Sequence, residues 1–328
     1  MAERAATGWQ VERGIGEDRA VLFRHGEPVA AKIDWHGGLS PGAVIDAVLV
    51  SRAAGSRRGT AMASGEELLV EGLPREASEG APIRLEIVRA AMSEAGRGKH
   101  ARARPSGEAL RPAPALAELL AHDDEPVATV RRFSPDCWSD IAADASAGEI
   151  AFDGGTLVLG PTPGMTVIDI DGTLPPAKLA LAAVPAVARA IRLLDLGGSI
   201  GIDFPTLASR AERKTVDEAL AGALGDWPHE RTAMNGFGFV QVVARQARPS
   251  LLHRARYDAS AWAARFLLRQ AEALTDPGAI LLAAHPATLC AISPSWIEEL
   301  ARRTGREVRT EARPDLAIRC GLAQVVPR

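Results

Sequence analysis

Three carboxylates have the spacing to do chemistry. Residues 165–172 read MTVIDIDG and carry Asp169 and Asp171; residues 199–204 read SIGIDF and carry Asp203. Strand side chains alternate between faces. Asp169 and Asp171 therefore share one face, and Ile168 and Ile170 take the other. In SIGIDF, Gly201 and Asp203 share a face, with Gly201 leaving space beside the acid. On neighbouring strands the three carboxylates converge. Such a group repels itself unless one member is protonated or a cation sits among them. Mg²⁺ suits the position, because it takes oxygen ligands and is commonly held by one or two carboxylates plus substrate phosphates. There it can polarise a phosphoryl oxygen and lower the pKa of a bound water. The chemistry implied is phosphodiester hydrolysis. Asp171-Gly172 alone is also a turn signal; the pairing of two such strands favours a metal.

The elements around these acids read as α/β. Residues 156–159 and 165–171 form a hairpin across 160–164. A helix follows, with Pro185 in its first turn or kinking it, and Gly197-Gly198 as its C-cap. Then come a strand at 199–204, a helix at 207–224 and a strand at 237–243. The acids lie near the C-terminal ends of their strands, where α/β sheets bind ligands. Further on, a helix over 258–274, a strand over 278–284, a helix over 295–304 and closing strands over 307–310 and 316–326 make a small α+β unit.

Upstream, residues 8–92 show short β runs separated by Gly, Pro, Ser and Asp turns, which predicts a small barrel. GRGKHARAR follows, with Arg97, Lys99, Arg102 and Arg104. It reads either as a solvated linker or as a phosphate-contacting arm. The Pro-rich stretch 105–127 reads as linker with a short helix, and 134–147 as a helix. The expected organisation is multidomain α+β: a β-barrel over 1–98, a linker with short helix over 99–150, an α/β core over 151–252 and a small α+β domain over 253–328.

Composition limits the function classes. The chain has 328 residues, 47% hydrophobic and 24% charged, with a net charge of -3. That excludes a strongly basic chain coating nucleic acid by charge alone. Aromatics are 4% with one Tyr, so base-stacking platforms are sparse. Cys137, Cys290 and Cys320 show no disulfide framework or metal pair, as expected for thiols in a reducing cytosol. Neither a secretion signal nor a membrane-length apolar run is legible, so the expected location is cytoplasmic. The histidines lack metal-ligand spacing, and Ser250 has no nucleophile-elbow context.

Three blocks together resemble the catalytic core of the bacterial ribonuclease E/G family. GGTLVLGPTPGMTVIDIDG (154–172) is similar to its Gly-Gly hairpin and T-x-I-D-x-N strand. RLLDLGGSIGIDF (192–204) is similar to R-L-R-D-L-G-G-x-I-x-I-D-F. FGFVQ with RPSL (237–251) is similar to F-G-L-x-E-x-x-R-x-R with S-L. The resemblance implies a Mg²⁺-dependent endoribonuclease that cuts single-stranded RNA to 5′-phosphate and 3′-hydroxyl ends, in RNA processing or decay. It implies Asp169 and Asp203 as metal ligands, and Asp171 where the family has an Asn that positions water or the scissile phosphate. The barrel would be the OB-type RNA-binding module. Arg192, Arg245, Arg248 and the 97–104 cluster are the expected phosphate contacts.

The departures are equally specific. The strand RRGTAMASGEELLV lacks the family's aromatic stackers. Residues 98–150 are too few for the insert that senses the RNA 5′ end, so no such sensing is expected. HRARYDAS (253–260) stands where the family has its CxxC zinc link, so no zinc-linked dimer is expected. Gly236, Ala244 and Gln246 occupy positions where the family favours basic residues. Two rival readings follow: an RNA-binding protein that kept the fold without the catalysis, and a phosphoesterase acting on a small molecule, which leaves the barrel without a role.

Overall fold

A computed structural model of the chain describes residues 7–122 and 124–327. Its first strands, β1 (Gly8–Arg13), β2 (Glu17–Arg24) and β3 (Glu27–Trp35), form an antiparallel meander. β2 is buried at every position except its last. A strand of that kind needs cover on both faces. Val21 and Phe23, with Ala31 and Ile33 of β3, face the largest core of the molecule. Ala20 and Leu22 face a small separate cluster with Trp9, Val11, Leu116 and Leu120.

β4 (Val44–Arg52), β5 (Arg58–Ala63), β6 (Glu66–Glu71) and β7 (Pro82–Arg89) begin a barrel. A small hairpin, β8 (Met92–Glu94) and β9 (Arg97–Lys99), leads to β10 (Ala101–Pro105). The barrel closes in the order β10-β6-β5-β4-β7. Its interior is filled mainly by Ala, Leu, Val and Ile side chains, among them Leu49, Leu68, Val70, Leu85 and Ile87. This corrects the expected barrel over 1–98: β1–β3 stand outside it, and β10 completes it. The reason is alternation. Ala101 and Ala103 point inward between β6 and β7, while Arg102 and Arg104 point out. Arg102 and Arg104 are thus barrel wall, while Arg97 and Lys99 lie in the β8–β9 hairpin that leads to it.

The expected linker over 99–150 is ordered as well. After α1 (Leu116–Leu120), β11 (Val127–Val130) adds to β1 in parallel, and α2 (Trp138–Ala147) packs into the main core. β12 (Glu149–Phe152), which sequence patterning did not single out, opens the next sheet.

That sheet has six strands in the order β12-β13-β14-β15-β17-β16. β13 (Gly155–Pro161) and β14 (Thr166–Gly172) form the expected hairpin. α3 (Pro176–Leu193) crosses over to β15 (Gly198–Asp203), which lies parallel to β14. α4 (Arg210–Leu224), β16 (Glu230–Arg231) and β17 (Phe239–Ala244) complete the unit. α3 is packed between β3 and the sheet, so one core serves both. α4 starts with a capping box in which Ser209 and Glu212 satisfy each other's backbone N–H groups.

Pro185 lies inside α3, beyond its first turn. The carbonyl it leaves unbonded belongs to Leu181, which is exposed to water. The end of α3 also differs from expectation. Asp195, at φ +49°, takes the left-handed turn, and Leu196 N–H donates back to Ile191 at 2.9 Å. An Asp tolerates this conformation, and its carboxylate accepts from Lys32 Nζ at 2.9 Å. Gly197 and Gly198 instead allow close approach of Arg245 and Gln246.

The remaining chain forms α5 (Leu251–Tyr257), α6 (Ala259–Glu272), β18 (Ala279–Ala284), α7 (Pro286–Cys290), α8 (Pro294–Thr304), β19 (Val308–Ala312) and β20 (Leu322–Val326). Its sheet, ordered β19-β18-β20, closes on α6 and α8 over a core of its own. Among the described residues no helix is long and apolar enough to cross a membrane.

Candidate metal and RNA site

Asp169 and Asp203 are register partners on the parallel strands β14 and β15. Neighbouring strands lie about 4.8 Å apart, so the two carboxylates stand side by side. Both are exposed, whereas Ile168, Ile170, Ile200 and Ile202 on the reverse face are buried against α3 and α4. The sheet therefore has one face built for packing and one for solvent. Asp169 Oδ1 accepts from Ile170 N–H at 3.0 Å, which leaves its second oxygen open.

Asp171 shares this face but is set apart. β15 pairing ends at Asp203, so Asp171 runs past it and faces only Thr156 across the sheet. Among the described residues no three Asp, Glu, His or Cys side chains gather closely enough to hold a metal. The expected convergence of three acids is thus corrected to a pair with a third carboxylate two residues on.

The rest of the face is occupied in ways that alternation does not reveal. A Cβ on Gly201 would meet Phe239 Cζ at 2.6 Å and Met165 Sδ at 3.0 Å. The space beside Asp203 is filled by those side chains rather than open. Phe239 is also the cross-strand partner of Asp203. Gln241 Nε2 donates to Ser199 Oγ at 3.0 Å on the same face. Phe237, in the turn before β17, is 81% exposed. Sequence reasoning passed over Phe237, Phe239 and Gln241, although the quoted FGFVQ contained all three.

The expected phosphate contacts divide. The Arg97 side chain lies outside the described residues. Lys99 pairs with Glu94 and donates to Pro163 O at 3.2 Å; Arg102 pairs with Glu71, and Arg104 with Glu86 at 2.8 Å. Arg245 is exposed and makes no ion pair among the described residues; it lines a cleft of about 520 Å³ with Lys32, Arg104 and Asp195.

Two of the expected contacts, Arg192 and Arg248, bond within the protein. Arg192 donates to Ala223 O at 3.2 Å and to Leu224 O at 2.6 Å, capping the carbonyl end of α4. It sits on the packed side of the sheet, where burial pushes its pKa down. Arg248 Nε binds Asp34 Oδ1 at 2.6 Å, tying the segment after β17 to β3. The Arg192 guanidinium is thus used within the fold, while Arg248 Nη2 is buried without a hydrogen-bond partner among the described residues.

A cation that sequence reasoning missed is Arg89. With Lys99 and Arg102 it lines a cleft of about 290 Å³ whose other walls include Met165, Thr166, Gly198, Ser199 and His253, and no carboxylate. Arg89 Nε and Gln246 Nε2 are buried there without a hydrogen-bond partner among the described residues. Burial, and then the charge of Arg102, push the Arg89 pKa down. An anion between the two would relieve both. The cleft opens at the start of β14 and β15, and the acids lie four residues further along, about 13 Å at strand rise.

Residues 147–246 match the family model of the ribonuclease E/G family, a segment that holds the whole six-stranded sheet with α3 and α4. Curated relatives include ribonuclease G of Escherichia coli and of Shigella flexneri, both 32% identical over 114 residues. Ribonuclease G of Salmonella typhimurium is equally similar. The aligned part is 30% of this chain and 23% of each relative, so the match spans less than a quarter of the relatives' length.

Proposed function

We propose that this chain, a member of the ribonuclease E/G family through residues 147–246, is a Mg²⁺-dependent endoribonuclease acting on single-stranded RNA in the cytoplasm. One observation carries the reading: within the family segment, Asp169 and Asp203 are register partners on an exposed sheet face. Two hard oxygen donors side by side, open to water and substrate, fit Mg²⁺, which keeps several waters and completes its shell with phosphate. Such an ion supplies charge for the phosphoryl oxygen and acidifies a bound water.

The chain's own residues do the rest. Asp169 and Asp203 would hold the ion between them. Asp171, on the same face, orients the attacking water by accepting a hydrogen bond from it. Arg89, Lys99 and Arg102 take backbone phosphates at the far end of the face, and Arg245 takes one in the adjoining cleft. We read the closed barrel as the OB-type module that presents the strand to this face. Attack in line with the 3′ oxygen leaves a 5′-phosphate and a 3′-hydroxyl.

The decisive experiment compares the wild type with Asp203→Asn on an unstructured RNA in Mg²⁺. Cleavage by the wild type alone supports the reading. Equal cleavage by both, or by neither, sinks it.

A second reading has its own support: residues 44–105 contain no Phe, Trp or Tyr, and Arg84, Arg102 and Arg104 of the barrel are paired with acids. A catalytically weakened RNA-binding protein would bind RNA equally with and without EDTA and never cut it.

A further inference from the structure

We infer that Phe237 is the stacking platform for an unpaired nucleobase next to the scissile phosphate; the inference rests on the nuclease reading above. Phe237 is 81% exposed, and every other Phe, Trp and Tyr of the chain is buried or half-buried. A lone exposed ring in a chain with so few aromatics is a costly place to leave apolar surface, unless a ligand covers it.

The ring is also held in place. Asn235 Oδ1 accepts from the N–H of Phe237 at 2.9 Å and from that of Phe239 at 3.1 Å. Asn235 N–H donates to Phe239 O at 3.0 Å, which closes the turn on itself. Phe204 N–H donates to Gly238 O at 3.2 Å, and Phe204 is the residue after Asp203. Gly238, at φ +93°, lets the turn lie so close that a Cβ there would meet Phe204 O at 2.4 Å. The position of the ring is thus bonded to the backbone that carries the metal-site acid.

Nucleobases stack on aromatic side chains without regard to sequence, because every base has a π-face. A base within a duplex is already stacked, so a platform here selects unpaired RNA. It also supplies what the barrel lacks. Phe237 contacts the base and orients the strand, while the chemistry stays with the acids.

The test uses a short unstructured RNA containing 2-aminopurine, whose fluorescence is quenched on stacking. In the Asp203→Asn protein, which binds without cutting, the RNA is quenched on binding. Adding Phe237→Ala is expected to remove the quenching and weaken binding about tenfold, and Phe237→Trp to restore both. In otherwise wild-type protein, Phe237→Ala should raise KM about tenfold at little cost in kcat. Unchanged affinity and quenching in the Ala variant overturn the assignment alone. Failure of Asp203→Asn and wild type alike to bind RNA overturns the nuclease reading and this inference with it.

Discussion

Asp169 on β14 and Asp203 on β15 occupy the same rung of a parallel ladder, and Asp171 lies past its last rung. The geometry separates two acids that strand alternation treats as equivalent. Asp169→Asn and Asp203→Asn are expected to lower kcat at least about 100-fold, since each would remove one of the two carboxylates proposed to hold the ion. Their melting temperatures should barely move, because both side chains are exposed and surface changes cost about 0.5 kcal/mol or less. Asp171→Asn, which keeps a water-orienting oxygen, should retain cleavage. RNA cleavage in Mg²⁺ and thermal melting check all three.

Gly201 has no room for a methyl group. Gly201→Ala would push the Phe239 ring from 2.6 Å, and Phe239 is the partner of Asp203. Overpacking of this kind costs about 1–3 kcal/mol. The variant should melt earlier and also cut more slowly, and the loss of cleavage should persist at temperatures where the variant is folded.

Arg192 and Arg89 should respond in opposite ways. Arg192→Ala takes the guanidinium donor from the Ala223 carbonyl and leaves Leu224 O with only the Trp227 N–H, so stability falls by about 0.5–1.5 kcal/mol with RNA affinity unchanged. Arg89→Ala should leave stability nearly intact and weaken binding to all RNA sequences alike. The slope of log affinity against log salt should flatten by about 0.7 for the lost phosphate contact. Chemical denaturation and salt titration of binding separate the two.

His253 makes stability depend on pH. Its pKa is held below the usual imidazole value, chiefly by burial and then by Lys99, with Arg254 acting the same way and Glu94 and Asp258 opposing. Protonation therefore favours the unfolded chain. The stabilisation is complete above the unfolded pKa of about 6.5 and is lost as pH falls through the depressed folded value. Melting curves from pH 8 to pH 5 should show the wild type losing stability faster than His253→Gln below about pH 6.5.

The acidic face was legible because alternation is local: residues two apart in a strand share a side whatever the strand pairs with. The α3 crossover and the hairpin before it were legible for the same reason, from apolar period and turn residues. The limits of the barrel were not. β10 resembles a linker by its charges, yet Ala101 and Ala103 close the wall between β6 and β7. Charge describes the outer half of a strand, and the inner half decides its partner.

By itself the sequence determined that Asp169, Asp171 and Asp203 lie on exposed strand faces and that the residues between them build a core. Only the tertiary structure decided that Asp169 and Asp203 share a rung while Asp171 does not. It also decided that Arg192 and Arg248 bond within the protein, and that Phe237 is left uncovered beside the acids. The physical reason is range. Facing follows from neighbours along the chain, but register and salt-bridge partners depend on groups brought together from afar, as Arg248 and Asp34 are across 214 positions.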